Sequence, residues 1–171
     1  MEKLFNDKEV FTKKRPDFLL SGQMDKFLNY LANMMVSLGL TESEPDEIVE
    51  DLSSFYPFND SSGFEMAQEL YSCGGDYNFG SELVSFMEDI PYMLQKEINK
   101  NVEEWVKIYE IKPYFKIGDK IIGNDNNHES YIINEINEKL AMYTLKSVEK
   151  NCRTKIVKFE NIHKNFHLSL D

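Results

Sequence analysis

Apolar side chains in the first two-thirds of the chain recur at three-to-four spacing, the signature of amphipathic helices. Phe27, Leu31, Met34, Met35 and Leu38 form one such stripe, and Gly39 stands where a helix would stop. Thr41 followed by Glu44 reads as a capping box, with Pro45 suited to a first helical turn. Ile48, Val49, Leu52 and Phe55 make a second stripe that ends before Pro57. A third helix is predicted over about 64–71, stopping at Gly74 and Gly75. After a loop over 76–80 comes a short helix over about 81–89. Pro91 then starts or kinks another, whose stripe is Leu94, Ile98, Val102, Trp105 and Tyr109.

Near Lys112 and Pro113 the period shortens. Residues 115–122, 131–136, 140–146 and 155–159 are β-branched or aromatic runs separated by turn-forming segments. The pattern divides the chain into an acidic helical region, 1–112, and a small antiparallel β region, 113–171, that can pack with the helices as one body. The expected fold class is α+β, with an N-terminal bundle of four to five helices and a C-terminal β meander. The Gly118-Asp119 turn followed by three evenly spaced strands resembles small SH3-like barrels over residues 114–168.

A chain of 171 residues with 42% hydrophobic and 13% aromatic content can fold without disulfides or metal. Acidic disordered tails lack such aromatics, so the acidity belongs to a folded body. Cys73 and Cys152 stand far apart and form no C-x-x-C pair, which reads as reduced thiols. No apolar run approaches a membrane span, and the first residues carry no continuous apolar stretch of a secretory signal. The expected location is cytoplasmic.

Charge changes the picture most. Between Phe27 and Gln95, 69 consecutive residues hold thirteen acids and no Lys or Arg, so this stretch carries −13 against −11 for the whole chain. Asp46 with Glu50, Glu47 with Asp51, and Glu65 with Glu69 are like-charge i,i+4 pairs, each costing about 0.2–0.5 kcal/mol of helix stability. The helix dipole offsets this only for acids in a first turn. A one-signed surface repels nucleic acid and steers basic partners toward it. Immunity proteins against nuclease toxins and phage-encoded mimics of DNA use the same physics.

The partner is therefore expected to be a basic protein, a nuclease toxin or another nucleic-acid-binding protein, blocked by occlusion, and contacts to nucleic acid itself are not expected. The candidate binding acids are Asp46, Glu47, Glu50, Asp51, Glu65 and Glu69, with Tyr56, Phe58 and Tyr77 as aromatic anchors. The alternative is a structural or adaptor module that uses its β region for protein–protein binding.

Searches for chemistry find little. No G-x-S-x-G, Walker or dinucleotide motif is present, and the reading is non-enzymatic. Neither Asp76 to Ser81 nor Asp125 to Ser130 fits a calcium loop, because the required Gly is misplaced or missing. His163 and His167 lie four apart in what reads as a strand or turn, where a shared metal is out of reach, and neither metal nor cofactor is expected. Lys146, Lys150, Arg153, Lys155 and Lys158, interleaved with Tyr143 and Phe159, read as a solvated hairpin rather than a nucleic-acid face.

Overall fold

The computed structural model describes residues 14–19, 21–58, 60–124, 129–149 and 153–168. Among these lie five helices, α1 (Ser21–Ser37), α2 (Pro45–Ser53), α3 (Gly63–Ser72), α4 (Ser81–Ile108) and α5 (Phe159–Asn165). The strands are β1 (Lys120–Gly123), β2 (Ser130–Asn137), β3 (Met142–Ser147), β4 (Thr154–Lys158) and β5 (Phe166–Leu168). The class is α+β. The chain divides into two compact units: residues 18–98, and the segment ending at Asp17 together with residues from Asn99 onward. The boundary falls inside α4, upstream of the change in period at Lys112.

Local chemistry explains the helix ends of the first unit. At the end of α1, Leu40 N donates to Met35 O and Gly39 N to Val36 O, and Gly39 takes a φ of +67° that glycine adopts at no steric cost. Pro45 opens α2, which makes Glu44 its N-cap without a side-chain cap bond. The expected Thr41–Glu44 capping box is therefore not formed. Thr41 stands too early, and its hydroxyl accepts from Ser43 N instead. The reciprocal box occurs at α3, where Glu65 N donates to Ser62 Oγ at 3.2 Å and Ser62 N to Glu65 Oε2 at 2.7 Å.

The expected separate helix over about 81–89 is not seen, because α4 runs for 28 residues with Pro91 inside it. A proline in a helix interior costs about 3 kcal/mol. Here the buried stripe Leu83, Met87, Ile90 and Leu94 keeps its phase across Pro91, and core packing holds the helix together. These residues join Leu31, Met35, Ile48, Leu52, Met66 and Leu70 in the core of this unit. Met24, Met34 and Met93 pack against that core half-buried, so methionine serves as ordinary filling.

The loop after α1 pairs with the loop before α4. Thr41 bridges Tyr77 antiparallel, Glu42 N donates to Asp76 O at 3.1 Å, and Asn78 N donates to Leu40 O at 2.8 Å. This crosslink sets where Tyr77 and Phe79 stand.

The second unit holds an open antiparallel sheet in the order β4-β3-β2-β1-β5. A register shift between Ile133 and Glu135 bulges β2, and Lys155 Nζ of β4 lies 5.2 Å from the Phe166 ring of β5. The outer strands thus curl toward each other without a ladder between them. Residues 159–165 differ from expectation by forming a helix, and the terminal strand expected about Phe166 is β5. Phe159, Ile162 and Phe166 are all buried, a helical spacing that turns the chain back to pair with β1. At the centre of this unit, Tyr143 is wholly buried and its hydroxyl oxygen accepts from Tyr114 N at 2.6 Å and Phe115 N at 3.0 Å.

Candidate functional site

The two units differ sharply in charge. Residues 18–98 contain fifteen acids and two bases, whereas the rest of the chain contains fifteen acids and seventeen bases. Of the thirteen acids between Phe27 and Gln95, twelve are exposed, and Asp51 is half-buried. Ion pairs join Arg15 to Asp17 and Glu160, and Lys158 to Asp17. None reaches those thirteen carboxylates. Lys13 lies outside the described residues.

On α2 the helical step turns Asp46, Glu47 and Glu50 away from the buried Ile48 and Leu52, with Asp51 at the border of that buried face. On α3, Glu65 and Glu69 lie opposite Ala67 and Leu70 in the same way. Two of the six acids have internal work as well. Glu65 closes the α3 capping box, and its hydrogen bonds from Ser62 hold its carboxyl below the usual range. Asp51 Oδ2 accepts the hydroxyl hydrogen of Tyr77 at 2.6 Å. Burial, then that bond and the charge of Asp51, push the Tyr77 hydroxyl well above the ordinary tyrosine range.

The expected aromatic anchors separate into two kinds. Tyr56 is exposed, but Phe58 is 1% and Tyr77 3% exposed, both inside the core of their unit. Phe58 and Tyr77 therefore present no ring to a partner. Other rings are exposed, and three of them cluster. Phe64 and Tyr71 of α3 and Phe79 of the following loop are 52%, 58% and 42% exposed. Phe79 lies 5.8 Å from the Phe64 ring and 5.6 Å from that of Tyr71, centroid to centroid. The buried stripe of α3 is Met66, Ala67 and Leu70, so Phe64 and Tyr71, seven residues apart, share a neighbouring face off that stripe. Their spacing against that stripe is the signal by which sequence alone marks them.

Among the described residues, no cluster of three or more His, Cys, Asp or Glu is placed to hold a metal ion. His167 Nδ1 lies 2.6 Å from Asn124 Oδ1. Cys73 is an exposed free thiol, whereas Cys152 and His128 lie outside the described residues. No described helix is long and apolar enough to cross a membrane.

The geometry thus defines an α+β chain whose helical unit carries an exposed carboxylate surface and an exposed cluster of three rings. No protein-family model, curated protein or solved structure matches this chain.

Proposed function

We propose that this chain is a non-enzymatic acidic binding protein that occludes a basic partner, of the immunity or antitoxin kind, acting on a nuclease toxin or another nucleic-acid-binding protein. The observation that carries this reading is twelve exposed acids on a unit with only two bases, none of them reached by the Arg15 and Lys158 ion pairs among the described residues. An internally compensated surface would scatter both signs; this one leaves its field directed outward. Carboxylates of Asp46, Glu47, Glu50, Glu65 and Glu69 take the place of phosphates in a groove built for nucleic acid. Charge sets the rate of encounter, and buried aromatic contact sets residence time.

The test is competition. The chain is titrated into complexes of basic nucleases with labelled DNA, at low and at physiological salt. Displacement of DNA and loss of nuclease activity, both weakening as salt rises, is the expected result. The D46N/E47Q/E50Q variant should bind more weakly and with a shallower salt slope. Affinity that is equal at all salt concentrations removes these acids from the interface.

The open edges of β4 and β5 favour a second reading, an adaptor whose sheet accepts a strand from another protein. Its mark is binding that persists in high salt and is lost on placing proline within β4.

A further inference from the structure

We propose that the Phe64–Tyr71–Phe79 cluster seats an arginine side chain of the basic partner. This deepens the reading above and rests on it. The three rings expose roughly 300 Å² together, taking about 200 Å² for a whole aromatic side chain. That matches the largest apolar patch of a typical monomer, which is often functional.

What covers the patch follows from charge. Each aromatic face is the negative part of its ring quadrupole and attracts a cation. The patch sits on a unit of net charge −13, and Phe64 and Tyr71 belong to the same helix as the exposed Glu65 and Glu69. An anionic or plainly apolar occupant gains nothing from this field. Between the two cations, guanidinium is planar, more weakly hydrated, and stacks on rings while its edge bonds carboxylates. The rings also meet at angles, 73° between Phe64 and Phe79 and 45° between Tyr71 and Phe79, so they form an angled seat rather than a flat stack.

The test titrates octa-arginine and octa-lysine peptides into the full chain, following the ring-proton resonances of the three residues and the dissociation constant. Octa-arginine should bind about three- to tenfold more tightly than octa-lysine and shift all three rings. In F64S/Y71S the ratio should fall to about one while salt-dependent binding of both peptides remains. Both changes lie at exposed helix positions, and the ring shifts of the unaltered chain report independently of any variant.

Equal affinities with unmoved rings overturn the arginine seat and leave the acidic reading standing. If neither peptide binds at low salt, both fall. Larger ring shifts with a neutral apolar probe, indole, overturn the seat in favour of an apolar anchor. Ring shifts that depend on protein concentration alone assign the patch to a second copy of the chain.

Discussion

Tyr77 and Asp51, 26 residues apart, share a 2.6 Å hydrogen bond that draws one carboxylate of α2 back against the protein. It separates Asp51 from its neighbours Asp46, Glu47 and Glu50, which remain exposed. It also stabilises the neutral phenol. Unfolded, a tyrosine hydroxyl ionises near about pH 10, while the folded Tyr77 holds its proton to higher pH. Its contribution is therefore complete below about pH 10 and declines above it, where the unfolded chain loses its proton first. Y77F should cost about 1–2 kcal/mol at pH 8. In urea titrations the gap between Y77F and the unaltered chain should narrow by pH 11; a constant gap would contradict the assignment.

Two glycines should respond to alanine with opposite signs. A Cβ on Gly63 would meet Glu88 N at 2.6 Å and Val84 O at 2.8 Å, besides Glu88 Cγ. These are largely backbone atoms of α4 and have little room to yield. G63A should destabilise by about 1–3 kcal/mol. Gly22 in α1 has nothing within 4 Å of that position, so G22A should stabilise by about 0.5 kcal/mol. Chemical denaturation of the two variants side by side provides the measurement.

Arg15 is buried, donates to Leu140 O at 2.7 Å and Ala141 O at 3.4 Å, and pairs with Glu160 at 3.6 Å. Removing the guanidinium strands the carbonyls and the carboxylate together. R15M should cost about 3 kcal/mol, and R15K should recover little, since an ammonium cannot span both carbonyls in one plane. D17N, on a half-exposed residue, should change stability by about 1 kcal/mol at most. A mild R15M alongside a severe D17N in equilibrium unfolding would reverse this ranking.

Salt should act in opposite directions on folding and on binding. The repulsion among the exposed acids of residues 27–95 is screened as the Debye length falls to about 8 Å at physiological ionic strength. Added sodium chloride should therefore raise the melting temperature while weakening association with a basic protein. E50Q, which removes the Asp46–Glu50 repulsion, should raise stability at low salt by about 0.2–0.5 kcal/mol and by less at high salt. A melting temperature indifferent to salt would mean that the acids do not strain the fold.

Much of the local architecture was legible from side-chain period. The stripes of α1 and α2 and the runs of β2 and β3 reappear within a few residues of expectation, because each records one face turned to a core. Pro91 misled, since the intrinsic cost of proline was set against packing that only the assembled core supplies. The helix that begins at Phe159 and buries Ile162 was hidden by the β-branched run before it, although its spacing was present.

The site divides in the same way. Sequence alone determined that the acids of residues 27–95 stand in solvent, all but the half-buried Asp51, because a carboxylate without a cation nearby is too costly to bury. Tertiary structure decided which groups share that surface. Aromatic rings are at home in a core or at a contact, so composition does not separate Phe58 and Tyr77 from Phe64, Tyr71 and Phe79. The pairing of the loops at Thr41 and Tyr77 does separate them, burying one ring and leaving Phe79 beside α3. Such a pairing joins residues 36 positions apart, and its free energy depends on the whole core closing around it rather than on any local pattern.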